Sequence, residues 1–205
     1  EDLNTKFKKP IVTYFREFSA PVIWETDTTH DEEIFVIENE IDSFSVYDSI
    51  DRLYKYIINK RLENEINFDI EDKLINAIKS IINKQSNINL NLLSEILSIP
   101  VFSDLESNIN NIDPPHLYKI SEDLYFKFAN KLKINLFNKL EDIEKDIFRS
   151  WPKGKDERKL IEKIWRLLLY TNDSNLRDKL ITYIDNNNMT LSKSVLNVYQ
   201  NFNFK

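Results

Sequence analysis

One glycine in 205 residues, Gly154, constrains this chain more than any other feature of its sequence. Average usage of about 7% would supply roughly fourteen. Primed hairpin turns and phosphate-binding loops need glycine where φ must be positive, so antiparallel sandwiches and dinucleotide-binding sheets are disfavoured. What remains is a set of helices joined through Asn, Asp, Ser and Pro. At 41% hydrophobic residues the chain can bury a sizeable core. Its net charge of −6, with Lys and Arg dispersed, leaves no basic stripe of the kind a nucleic acid needs. No cysteine is present, which excludes disulfides, thiolate zinc sites and cysteine nucleophiles. No apolar run approaches the ~18 residues that would span a bilayer, so neither a nucleic-acid nor a membrane partner is expected.

Taken in order, residues 1–9 are a polar lead-in to Ile11–Phe15, an unbroken β-branched and aromatic run behind Pro10. That run reads as a strand buried on both faces, and Val22–Trp24 as a second extended piece held out of helix by Pro21. Thr29 and Glu32 then form a capping box for a short helix with an Ile34, Phe35, Ile37 and Ile41 stripe. Asp42 or Ser43 caps the next helix, whose Val46, Ile50, Leu53, Tyr54 and Ile57 share a face. Asp69 opens a third, carrying Leu74, Ile78, Ile81 and Ile82, and Leu90–Leu97 makes a short helix that Pro100 stops. Ser103 with Glu106 signals a further two-turn helix. Asp113 with Pro114 begins a long one, with Leu117, Ile120, Leu124, Phe128, Leu132, Leu136, Leu140, Ile143 and Ile147 in register. Unbroken to Phe148 it would measure ~50 Å. Beyond the Trp151–Gly154 break, Leu160, Ile161, Ile164, Trp165 and Leu168 line a helix apolar on more than one side, which predicts a central position. Asp173 or Ser174 starts another helix, and Thr190 caps the last. The expected fold class is mainly α: an irregular paired-helix array, superhelical and armadillo- or HEAT-like, preceded by a short β segment.

Six residues at the passage between the two halves of this pattern, Arg16, Phe18, Ser19, Ala20, Pro21 and Val22, resemble a known junction. They are similar to the segment where the small β-domain of M1 zinc aminopeptidases of the alanyl aminopeptidase (aminopeptidase N) type passes into the C-terminal helical domain. Asp42–Asp48 resembles the helix start that follows in that family, with Tyr47 where Trp is commoner. Glu95–Pro100 resembles its Glu-Ile-Leu-x-x-Pro helix end, Ile112–Pro114 its Ile-Asp-Pro start, and Asn187–Thr190 its Asn-Asn-Met-Thr turn. These segments occur in family order along nearly the whole chain. The resemblance implies that residues 1–25 end a small β-domain and that residues 26–205 form the first part of the helical domain. It also implies zinc in a catalytic domain outside this chain, with that domain and the β-domain as partners and peptides as substrates reached through a chamber. The start at Glu1 rather than Met fits a processed product or part of something longer, and a cytoplasmic location is expected.

The search for chemistry within the chain assigns no catalytic, cofactor-binding or metal residue. The family's peptidases need His-Glu-x-x-His on a helix, and only His30 and His116 exist here, far apart. The Gly-Ala-Met-Glu-Asn clamp has no match, since the one Met is Met189. Asp31-Glu32-Glu33 and Glu141-Asp142-Ile143-Glu144 read as solvated helix faces. Trp165 reads as core and Trp151 as half exposed. Arg16 reads either as the partner of a carboxylate in a neighbouring domain or as a surface charge at a strand end. The functional expectation is therefore a non-catalytic helical portion of an M1-type zinc metalloaminopeptidase, which removes N-terminal amino acids from peptides; this portion would shape the chamber and stabilise the enzyme. Two alternatives stand beside it: a catalytically silent scaffold or subunit mediating protein–protein interaction, and an unrelated helical-repeat binding module.

Overall fold

Polar side chains do the work of the missing glycines at the helix ends. In the computed structural model, which describes residues 10–18, 26–84, 89–100, 105, 113–144, 154–185 and 188–200, eight helices have defined bounds. They are α1 (His30–Asn39), α2 (Ser43–Leu62), α3 (Phe68–Asn83), α4 (Leu90–Ile96), α5 (Pro114–Glu144), α6 (Lys155–Leu169), α7 (Ser174–Ile184) and α8 (Met189–Gln200). Thr29 and Glu32 close both halves of a capping box on α1, and Asp42 accepts from the Ser45 N–H at 2.8 Å to start α2. Asn89 and Asp173 do the same for α4 and α7. Asn64 (φ 59°) and Asn172 (φ 56°) take left-handed positions just past α2 and α6, where helices usually end on glycine. The single glycine has φ 72° immediately before α6, a conformation that its missing Cβ makes inexpensive.

The buried faces follow the spacing of the sequence. Val46, Ile50, Leu53, Tyr54 and Ile57 on α2 are all buried, as are the stripe positions Leu117, Ile120, Leu124, Phe128, Leu132, Leu136, Leu140 and Ile143 on α5. α5 has 31 residues, about 46 Å at 1.5 Å per residue. α1 packs on α2 and α3, α2 on α4 and α5, and α3 on α5. α4 and α5 both pack on α6, which in turn meets α7 and α8. The order is that of a stacked helical array with one continuous apolar core. α6 lies at its centre, with Leu160, Ile161, Ile164, Trp165 and Leu168 at 0% exposure.

Several local expectations are corrected. No strand occurs among the described residues, and the short β segment is not seen. Residues 11–15 alternate between half-buried and exposed, with Val12 and Tyr14 outward, so they are not covered on both faces. The physical reason is that a strand is defined by its ladder, and no second strand lies beside this one among the described residues. α3 is capped by Asn67, two residues before Asp69, and α8 by Asn188 rather than Thr190. On α1, Phe35 is exposed while Glu33, Val36 and Ile37 are buried, and Ile41 lies beyond the end of the helix and is exposed. The Ser103–Glu106 capping box, Ile147, Val22–Trp24 and Trp151 lie outside the described residues.

Candidate functional site

The junction is the first place where the chain builds something beyond helix packing. Residues 10–14 run without regular structure into a 3-10 turn at Arg16–Phe18. Phe15 (φ 51°) and Glu17 (φ 58°) both sit in the left-handed region, which for such residues costs on the order of 1–2 kcal/mol each. Contacts to the α1–α2 connection hold them there. Arg16 Nη1 reaches Glu40 Oε2 at 2.8 Å, the Thr13 hydroxyl donates to the same oxygen at 3.2 Å, and the Glu17 N–H donates to Asp42 Oδ1 at 2.9 Å. Glu40 Oε1 accepts the Ile41 and Asp42 N–H groups, at 2.7 and 3.1 Å. Burial pushes the Glu40 and Asp42 carboxyls up, but the backbone hydrogen bonds outweigh it and both lie below their ordinary values. A pocket of about 240 Å³ opens beside this knot, between Ile11, Thr13, Arg16, Phe35 and Glu40.

Of the six junction residues picked from the sequence, Arg16 and the backbone of Phe18 are therefore placed, and Ser19, Ala20, Pro21 and Val22 lie outside the described residues. Arg16 is not an unpaired surface charge. Its carboxylate is Glu40, on the same chain.

Segments that resemble the family but lie far apart in sequence meet around a second feature, a cleft of about 350 Å³ between α2 and α4. Tyr47, Asp51 and Lys55 line it from α2, and Glu95, Ile99 and Pro100 from the end of α4 and beyond. The Tyr54 hydroxyl donates to the Ile96 carbonyl at 3.1 Å, tying its two walls together. Lys55 pairs with Asp51 at 2.7 Å, and Lys159 of α6 pairs with Glu95 at 2.6 Å.

Two carboxylates that read as ordinary in the sequence are buried. Glu71 on α3 is fully enclosed, held by Arg61 Nε and Nη2 at 2.6 and 2.9 Å and by Lys127 Nζ at 2.8 Å. Burial pushes it up; the hydrogen bonds from Arg61 and Lys127 outweigh this and hold it below its ordinary value. Glu33, expected on a solvated face, is 4% exposed and takes Arg52 Nε at 2.7 Å, while Arg52 also binds Asp48. Here burial wins, and Glu33 and Asp48 are both raised. Partners 19 residues apart (Arg52 and Glu33) and 56 apart (Lys127 and Glu71) leave no local trace, so sequence reasoning missed both. Glu144, by contrast, is in the Lys179 and Tyr183 contacts of an exposed helix end.

His30 packs its ring 3.9 Å from that of Tyr56, and His116 is half-buried at the start of α5. Among the described residues no group of three or more His, Cys, Asp or Glu could hold a metal ion, and no helix is long and apolar enough to cross a membrane.

The chain is similar to a solved structure of Legionella pneumophila aminopeptidase A in complex with aspartic acid, with a TM-score of 0.78 and 20% identity. The match covers 94% of this chain but 24% of that protein, so the chain spans about a quarter of its length. This agrees, at the level of the fold, with the resemblance to the helical region of M1-type aminopeptidases carried by Arg16, Phe18, Ser19, Ala20, Pro21, Val22 and the motifs after them. A family model described as a domain of unknown function (DUF3458_C) with ARM repeats matches residues 30–205. The chain belongs to the DUF3458_C family of ARM-repeat domains.

Proposed function

We propose that this chain is the C-terminal helical portion of an M1-type zinc metalloaminopeptidase, which removes N-terminal residues from peptides, and that it takes no part in the bond-breaking step. The observation that carries the reading is the coincidence of an ARM-repeat family match over residues 30–205 with a superposition of nearly the whole chain onto one quarter of an aminopeptidase. The described residues supply no donor set for zinc, and on this reading the metal and the residues that activate water would belong to a domain outside this chain. Residues 1–25 would end the neighbouring β-domain, and the knot of Arg16, Glu40 and Asp42 would fix the angle at which the helical array leaves it. The α2–α4 cleft, framed by two family-like segments, would form part of the wall past which peptides enter. The catalytic and β-domains of the same enzyme would then be its principal partners.

The test is the intact mass of the native polypeptide, recovered with an antibody to this segment, together with hydrolysis of alanine and leucine amides with and without a chelator. A mass several-fold above 24.5 kDa with chelator-sensitive hydrolysis is expected. A native mass near 24.5 kDa without hydrolysis would replace this reading with the silent scaffold.

A further inference from the structure

We propose that the α2–α4 cleft is a binding site for a cationic side chain, arginine above lysine, gripped between Asp51 of α2 and Glu95 of α4. That the side chain belongs to a peptide rests on the proposed function; the recognition of a cation does not.

Asp51, Lys55 and Glu95 are the charged residues that line the cleft, two carboxylates against one ammonium. Lys55 is closed onto Asp51 Oδ2 at 2.7 Å, and Lys159, which lies outside the lining, holds Glu95 Oε1 at 2.6 Å. Asp51 Oδ1 and Glu95 Oε2 have no partner among the described residues. Each wall thus presents a carboxylate oxygen still able to accept. The Asp51 and Glu95 side chains are 21% and 47% exposed, so a ligand entering from solvent can reach both. The walls are also fixed: the Tyr54 hydroxyl ties α2 to the Ile96 carbonyl at 3.1 Å, and the Ser98 N–H closes on the Glu95 carbonyl at 2.9 Å. A site built in advance of its ligand loses little in ordering itself on binding.

The lining selects the ligand. An anion would have to break the Asp51–Lys55 pair and then sit between two carboxylates, which like-charge repulsion opposes. A cation instead meets one surplus negative charge. A carboxylate that serves two cations is already built elsewhere in the chain, where Glu71 accepts from both Arg61 and Lys127. Guanidinium fits better than ammonium because its planar fork of donors can meet carboxylates on two sides, as Arg52 does between Glu33 and Asp48. Its methylene stem would lie against Ile50, Ile99 and Pro100, and a volume of about 350 Å³ leaves room for part of an adjoining residue.

The experiment titrates the 205-residue chain by calorimetry with N-acetylated, C-amidated peptides of one sequence, whose central residue is arginine, citrulline, lysine or glutamate. The arginine peptide should bind about tenfold more tightly than the citrulline peptide, which keeps the shape and loses the charge. The lysine peptide should fall between them, and the glutamate peptide should bind most weakly. The preference for arginine should collapse in Glu95→Gln and shrink in Asp51→Asn, both changes at part-exposed side chains and compatible with folding. It should persist in Glu141→Gln, which removes an exposed carboxylate of α5 outside the cleft lining. Equal affinity for arginine and citrulline, absence of binding, a preference that survives both cleft variants, or an equal loss in Glu141→Gln would overturn the site. Lysine bound as tightly as arginine would overturn the choice of arginine. Each of these failures leaves the native mass and the chelator-sensitive hydrolysis untouched, so the two readings fall separately.

Discussion

Replacing Glu71 with glutamine is the sharpest test of how this array is held together. The side chain of Glu71 is 0% exposed, that of Arg61 9% and that of Lys127 19%, so the triad sits where water cannot screen it. Glu71→Gln keeps the shape but leaves two cations, from α2 and α5, facing each other across α3 with only Asp72 near Lys127. Removing one partner from a buried charge network costs about 3–5 kcal/mol, because the remaining charges stay desolvated. For a chain of this size, at about 2–4 °C per kcal/mol, the melting temperature should fall by roughly 6–20 °C. Urea unfolding and thermal melting followed by far-UV circular dichroism would read both numbers. The control is the triple variant Arg61→Met/Glu71→Leu/Lys127→Met, which removes the charge altogether and should recover most of the loss. A Glu71→Gln cost below about 1 kcal/mol would refute the reasoning, since the cations would then be finding solvent. A triple variant as unstable as the single one would show that shape, not charge, is what Glu71 supplies.

Acid should weaken the fold with a defined sign: Glu71, Glu40, Asp42 and Asp173 lie below their ordinary values, so their stabilisation is complete at neutral pH and lost as pH falls through those lowered values. Glu33 and Asp48 are raised and work the other way, so urea midpoints should hold from about pH 7 to 5 and drop below about 4, less steeply in Glu71→Gln; an unchanged slope in that variant would count against Glu71 as a source. Glu40→Gln should speed amide exchange at residues 11–18 while α5 and α6 stay protected, at a cost of about 1–2 kcal/mol, and uniform protection would mean that the knot does not hold the junction. Trp165→Ala, at the fully buried centre, should cost about 3–5 kcal/mol in urea, and a loss under about 1 kcal/mol would place α6 away from the core.

Much of the array was legible in residue spacing. The stripes on α2, α5 and α6 were read correctly because helix periodicity is local and their apolar residues are regular. The caps at Thr29 and Asp42 were legible for the same reason, since a side chain three residues from its N–H needs no tertiary partner. Asn67 and Asn188 were passed over in favour of Asp69 and Thr190, although asparagine caps as well as aspartate or serine. On α1 the choice of face went astray at Phe35, and Ile41 falls past the helix end: the position that turns inward is Glu33, and its pairing with Arg52 on α2 makes that burial tolerable.

From the candidate sites, the sequence identified Arg16 as worth attention but not its partner. Glu40 lies 24 residues on, and the hydrogen bonds that hold it involve backbone groups that side-chain patterns do not reveal. The cleft was visible only as two motifs, Asp42–Asp48 and Glu95–Pro100, with nothing to say that they face each other.

By itself the sequence determined that this protein is helical, where most of its helices begin and end, and which stripes are apolar, because those properties depend on residues within a turn of one another. Only the tertiary structure decided which stripes meet, which carboxylates are enclosed with their cations, and that two segments far apart in sequence face each other across a cleft. Those outcomes depend on the energy of placing a charge among its neighbours in space, and the neighbours come from helices tens of residues apart.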